Sequence, residues 1–148
     1  MSISQTTTSS FKQQCLQAVH NFGPTGADTF KLALYTASAS IGPDTTVYTD
    51  TGEVSGTGYA TGGVELQITV SPTVANNTYF VPTAYIGFAN AEWLNASFTA
   101  RGGLIYNSTK GNKSVAVLDF GADKTVTDGT FTVTMPVATA NSAIIRIS

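Results

Sequence analysis

Val64-Glu65-Leu66-Gln67-Ile68-Thr69-Val70 alternates apolar and polar side chains through seven consecutive positions. Successive side chains of an extended chain point to opposite faces. A period of two therefore predicts a β-strand that buries Val64, Leu66, Ile68 and Val70 and keeps Glu65, Gln67 and Thr69 wet. The period recurs on both sides of this stretch. Phe30, Leu32 and Leu34 alternate with Lys31, Ala33 and Tyr35, and Phe131, Val133 and Met135 alternate with Thr130, Thr132 and Thr134. Shorter runs of the same character are Thr46–Tyr48, Thr78–Val81, Tyr85–Phe88, Trp93–Thr99, Leu104–Tyr106, Val115–Phe120 and Ala143–Ile147. Turn-forming residues separate them at Ile41-Gly42-Pro43-Asp44, Asn76-Asn77, Lys110-Gly111-Asn112 and Asp128-Gly129. Asn107 through Lys113 reads as the tip of a hairpin that joins Leu104–Tyr106 to Val115–Phe120. About nine short strands at this spacing predict an antiparallel β-sandwich, jelly-roll or immunoglobulin-like, rather than a βαβ fold. Neither a repeat nor a linker interrupts the pattern, so residues 1–148 read as a single sandwich domain.

Before Pro24 the period is helical. Phe11, Cys15, Val19 and Phe22 recur at spacings of four, four and three, with Ala18 beside them. Ser10 followed by Gln13 has the form of a capping box, and Gly23-Pro24 is a stop signal. These features predict a helix from about Ser10 to Phe22, within an N-terminal arm of residues 1–23. Its stripe either serves assembly or plugs one open face of the sandwich.

Composition narrows the function. Charged residues are 11% of the chain, net charge is −2 and the isoelectric point is about 5.1. A charged share of about 25% is usual. Nucleic-acid binding requires clustered Lys and Arg, which this chain lacks. Aromatics at 10% argue against disorder. The 24 threonines suit the wet faces of strands without adding charge. No apolar run approaches the length of a membrane span, and the polar start Met1–Ser10 does not read as a signal peptide. The expectation is a protein made in a reducing cytoplasm, with no membrane partner. Cys15 is the lone cysteine, which excludes an intrachain disulfide and a cysteine cage for zinc.

Candidate chemistry is sparse. His20 is the single histidine, and on a helix it points about 140° away from Cys15, so the two do not form a dyad. The Gly-dense segment Thr51–Gly63 contains Gly56 and Gly58, but its spacing fits neither a dinucleotide fingerprint nor a P-loop. It reads as a long flexible loop or bulged edge, or as a contact loop that orders against a neighbouring subunit. Asp119, Asp123 and Asp128 lack the spacing of a calcium loop, and nothing favours Glu65 with Glu92 as a glycosidase pair. Asn76, Asn95, Asn107 and Asn112 each begin an Asn-x-Ser/Thr triplet, which reflects composition. Arg101 is an isolated cation expected to pair within the fold or across an interface. No catalytic residue, cofactor site or metal site is expected. Phe11, Gly56, Gly58 and Tyr59 stand as the candidate contact elements. Tyr59, Tyr79, Tyr85 and Trp93 would be stacking platforms if the chain bound carbohydrate.

Several segments together resemble a family of small structural proteins of tailed bacteriophages. They are Phe11-Lys12-Gln13-Gln14 with Val19-His20-Asn21-Phe22, then Asp28 through Thr36, Glu53 through Tyr59, Leu104 through Asn107, Val115 through Gly121 and Ala143 through Ile147. The resemblance runs from about Ser2 to Ser148 and is weakest over Ser71–Phe98. It implies a non-enzymatic virion protein made in the host cytoplasm. Such a protein would be a homo-oligomeric capsid decoration or cement subunit on the major capsid protein, or a neck, collar or fibre-base subunit of the tail. It carries no catalytic residues over to this chain.

Overall fold

The computed structural model describes residues 2–148. Among these described residues, eight strands form two packed antiparallel sheets, with one helix near the N-terminus. The strands are β1 (Thr6–Thr7), β2 (Phe30–Tyr35), β3 (Val64–Leu66), β4 (Ile68–Asn76), β5 (Pro82–Phe88), β6 (Ala91–Asn107), β7 (Lys113–Val133) and β8 (Ile145–Ile147); the helix α1 is Ser9–Leu16. The larger sheet has the order β1-β7-β6-β2-β3 and the smaller one β4-β5-β8. The expected all-β sandwich with an N-terminal helix is thus observed.

The stretch Val64–Val70 builds the corner of the sandwich. It is not one strand but two, broken at Gln67: β3 pairs with β2 in the larger sheet, and β4 pairs with β5 in the smaller. Leu66 is buried opposite Phe30, as the alternation predicts. The two expected strands Trp93–Thr99 and Leu104–Tyr106 are one continuous β6, and Val115–Phe120 joins Phe131–Val133 in one continuous β7. Asn107–Lys113 is the hairpin tip between them, built on a short 3-10 turn, Ser108–Lys110. Asp128-Gly129 is therefore a bulge and not a turn. Asp128 has φ 47°, and its amide donates to Ser97 Oγ at 2.9 Å. A tight hairpin turn and a bulge of this kind both take a left-handed residue, so the dipeptide signals either one. Thr78–Val81, expected as a strand, is the tip of the β4–β5 hairpin, and Thr46–Tyr48 contributes only a bridge from Val47 to Lys113.

The larger sheet is buried on both faces. Leu32, Leu34, Ile105 and Val115 face the smaller sheet, where Ile86, Phe88 and Ile145 complete the main core. Ala33 and Tyr35, expected on a wet face, are fully buried in a second core with Ile41, Leu104, Tyr106 and Val117. Ile3 and Tyr48 cover that core from the N-terminal arm and the β2–β3 connection.

The helix is shorter than expected. Thr8, not Ser10, is its N-cap: Thr8 Oγ1 accepts the Phe11 amide at 3.3 Å and hydrogen-bonds Ser114 Oγ at 2.9 Å. Thr8 is preferred because it also ties the helix start to β7. The helix stops at Gln17 because Ala18 turns left-handed, φ 57°. The Ala18 amide then donates to Cys15 O at 3.2 Å and the Val19 amide to Gln14 O at 3.0 Å, a Schellman closure. Val19 to Phe22 lie beyond it, so the four-residue stripe is split. Phe22 reaches the core by another route and stacks on Phe30 with ring centroids 4.3 Å apart.

An alanine in left-handed conformation costs about 1 kcal/mol, and glycine is the residue that removes this cost at a helix C-terminus. Ala18→Gly is expected to raise stability by roughly 0.5–1 kcal/mol, part of the relief being offset by the freer unfolded chain. Urea unfolding measures it; an unchanged or lowered midpoint contradicts the assignment of strain to Ala18.

Candidate functional site

Two polar clusters and two surface features are the places where this chain could act. The first cluster is centred on Glu53. Its Oε1 accepts the Tyr59 hydroxyl at 2.6 Å and the Gly62 amide at 2.7 Å, and its Oε2 accepts the Tyr48 hydroxyl at 2.6 Å. Tyr59 Oη also accepts the Leu34 amide at 2.8 Å. Tyr106 donates to Gly62 O at 2.7 Å and Tyr35 to Thr49 O at 2.6 Å. Burial first, and then the Glu53 carboxylate, push the Tyr106 phenol up to about 12 and hold those of Tyr35, Tyr48 and Tyr59 well above their ordinary range. These phenols stay protonated and donate, so the cluster is a clasp rather than a set of reactive groups.

The clasp decides what the Gly-dense segment is. Of the readings for Thr51–Gly63, the irregular edge describes it: a flap laid on the larger sheet, with the Val54 amide on Leu34 O at 2.9 Å and the Ser97 amide on Thr57 O at 2.9 Å. Gly58 takes φ 79°, and a Cβ there would sit 2.8 Å from the Ala96 Cα; at Gly56 it would sit 2.6 Å from Ser97 O. Both glycines let the flap touch the backbone of β6 in the same chain. Tyr59 is half-buried, with its ring against Trp93 and Phe98. Phe11 is 3% exposed in the main core. Of the four expected contact residues, Phe11 is buried and Tyr59 half-buried within the fold, while Gly56 and Gly58 are exposed on the flap.

The second cluster contains His20, which lies in the loop after α1 rather than on the helix. Asn107 Oδ1 accepts the amides of Thr109 (3.1 Å) and Lys110 (3.2 Å), so its Nδ2 faces His20 Nδ1 (2.9 Å) and Asp28 Oδ2 (2.8 Å). His20 Nδ1 must accept, which makes the ring neutral with its proton on Nε2, donated to Gln14 Oε1 at 2.8 Å. Burial lowers the His20 pKa, with Lys113 and Lys110 adding to the effect and Asp28 opposing it. The ring packs on Phe11 at 5.0 Å. Lys110 Nζ stands 3.8 Å from Asp28. His20 is a structural joint between the post-helix loop, the hairpin tip and β2.

The acidic residues do not converge. Asp119 pairs with Arg101 at 3.3 Å and accepts the Gly121 amide, while Asp128 sits at the bulge. Among the described residues no group of three or more His, Cys, Asp or Glu side chains is placed to hold a metal ion. Arg101 thus pairs within the fold. Trp93 is buried in the core, and its Nε1 has no hydrogen-bond partner among the described residues. Cys15 is partly buried, which raises its thiol pKa.

The surface features are an apolar hairpin end, formed by β4 and β5, and a cleft between β7 and β8. Sequence reasoning took Thr78–Val81 for a strand and so missed the first; the signal was present in the uncharged run from Leu66 to Ala91. Comparison with protein-family models, with curated proteins and with solved structures finds no match.

Removing the Glu53 carboxylate leaves the Gly62 amide and two phenols without their acceptor. Glu53→Ala is expected to cost about 2–4 kcal/mol and to speed amide exchange at Gly62 and Ser97 ahead of global unfolding. Unchanged exchange at both amides would show that the flap is held by its backbone alone. The His20 pKa lies below its ordinary 6.5 in the fold, so the unfolded chain binds the proton first. Stability is therefore full above that pH and declines as pH falls through it towards the folded value. His20→Gln is expected to flatten this decline in urea midpoints taken across the window; a variant with the wild-type slope would assign it to another group.

Proposed function

We propose that this chain is a non-enzymatic structural protein of a bacteriophage particle, a decoration or cement subunit that docks in many copies on the major capsid protein. The observation that carries the docking is the β4–β5 hairpin end. Tyr79 and Phe80 are 84% and 83% exposed at its tip. Val74, Ala84 and Ile147 stand opposite one another across β4, β5 and β8. Val74 and Ile147 are 67% and 58% exposed. Two residues further along β5 and β8, Ile86 and Ile145 on the same face are buried in the core. The core face of the smaller sheet therefore runs on past its cover into solvent. No charged residue lies between Glu65 and Glu92. An uncharged apolar end of this kind is what docking surfaces present at their centre, where ions are depleted.

The sequence resemblance to tailed-phage structural proteins supplies the particle, and the hairpin end supplies the contact. A neck or tail position would use the same end around one axis, giving a small ring instead of a lattice. Quantitative mass spectrometry of purified particles distinguishes the positions. Copies on the order of hundreds support decoration, and about a dozen or fewer support the tail axis. Absence from the particle overturns the proposal. Phe80→Asp is expected to abolish incorporation while leaving thermal stability unchanged, since the ring contributes nothing to the core; normal incorporation of that variant removes the hairpin end as the contact.

A further inference from the structure

The sandwich is open along one side. The outer edge of β7 is covered by β1 only at Ala116 and Val117, and the Asp119 amide beyond it donates to Gln5 Oε1 at 3.1 Å. From there to Val133 that edge has no partner strand among the described residues. β8 ends the smaller sheet and, among the described residues, pairs with β5 alone. Between these two terminal strands lies a cleft of about 630 Å³, within the range of about 300–1,000 Å³ that binding sites occupy.

Its geometry follows from a large bulge. Residues 120–123 of β7 stand against Arg101 alone, because Asp119 pairs with Gly102 and Lys124 with Ala100. The bulge carries Phe120 over Phe131, with ring centroids 6.2 Å apart, and leaves Phe120, Leu118 and Ile144 as a partly buried apolar floor. The Met135 amide donates to Asn90 Oδ1, towards β6. Alternation then turns the main-chain groups of Thr132 and Thr134 outwards, to the open side. Three charged side chains line the cleft. Asp119 is held by Arg101. Lys124 and Arg146 have no carboxylate within ion-pair distance among the described residues, and Arg146 Nη1 donates to Asn141 O. The cleft thus combines unpaired edge amides and carbonyls, apolar floor positions and a net positive rim.

We propose that the cleft between β7 and β8 is a strand-acceptor site for an extended acidic segment of a partner polypeptide. The segment pairs with the outer edge of β7 at Thr132 and Thr134. It lays alternate apolar side chains on Phe120, Leu118 and Ile144, and brings a carboxylate to Lys124 or Arg146. Main-chain pairing supplies the affinity, and the floor and rim supply the selection. An added strand also removes an edge that is otherwise free to pair with other chains. This site is separate from the hairpin end and stands whether or not the chain belongs to a phage particle.

The test uses the full chain and three fluorescein-labelled nine-residue peptides that alternate valine with threonine. One carries two glutamates, one carries two lysines in their place, and one has the glutamates with prolines at alternate positions, which cannot form the ladder. Fluorescence anisotropy is expected to show binding of the acidic peptide alone. Reversing both rim charges, Lys124→Glu with Arg146→Glu, is expected to weaken it about tenfold. Thr132→Pro, at an outward-facing edge position where proline is tolerated, is expected to weaken it as much. Should Thr132→Pro fail to fold, the charge-reversed protein and the proline peptide decide. Phe80→Asp is expected to bind normally, which separates this result from the fate of the hairpin end. Absence of binding, equal binding of the acidic and basic peptides, or binding of the proline peptide overturns the proposal. Self-association abolished by the two rim reversals overturns it in favour of a second copy of this chain.

Discussion

Ladder pairing between β6 and β7 runs from Ala91 opposite Val133 to Asn107 opposite Lys113, and the larger sheet is built outward from it. Its near half forms the centre of the larger sheet, with β1 on one side and β2 on the other. Its far half carries Trp93, Phe98 and Phe131 into the main core. One ladder can serve both only by bending. The bends sit at its register breaks, where Asn95 and Asp128 take positive φ and residues 120–123 bulge outwards. Bulges are where a strand twists hardest, so the local irregularities give the sandwich its depth and open the cleft beside β8.

A sheet buried on both faces needs a cover on each. The smaller sheet covers one. The other is covered by irregular chain, which has few ladder bonds of its own and must keep its polar groups satisfied. The Glu53 clasp meets that need: one carboxylate fixes two phenols and a backbone amide, and those phenols fix the sheet-facing side of the flap. His20, Asp28 and Asn107 do the same at the hairpin tip, with Asn107 fully buried and all its amide groups engaged. Hydrogen-bonded networks of neutral and singly charged groups thus do in the loops what apolar packing does between the sheets.

The strands were legible in the sequence because period-two alternation reports burial directly. The sandwich class followed from it, as did the hairpin at Asn107–Lys113. Three features were not legible. The break at Gln67 leaves the alternation undisturbed, since a strand that changes sheets keeps the same side chains inward. The end of α1 is set by Ala18, a residue with no stop signal of its own. The wet face assigned to Ala33 and Tyr35 could not be seen as buried, because what covers it comes from Ile3 and Tyr48, remote in sequence. The same reason hid the candidate sites. Glu53 looked like one acidic residue among nine, and the cleft is assembled from residues near Gln5, Phe120, Thr132 and Ile144, which only the fold brings together.

The Thr8 hydroxyl that caps α1 meets Ser114, 106 residues away along the chain. The residues around Thr8 consequently find their place only once Ser114 has found its own. The arm, the helix cap and the cover over Tyr35 must all wait until the β6–β7 hairpin has been made, and the hairpin can zip on its own because its strands are neighbours in sequence. Contact order thus makes the β6–β7 hairpin an early element of the fold and the N-terminal arm a late one.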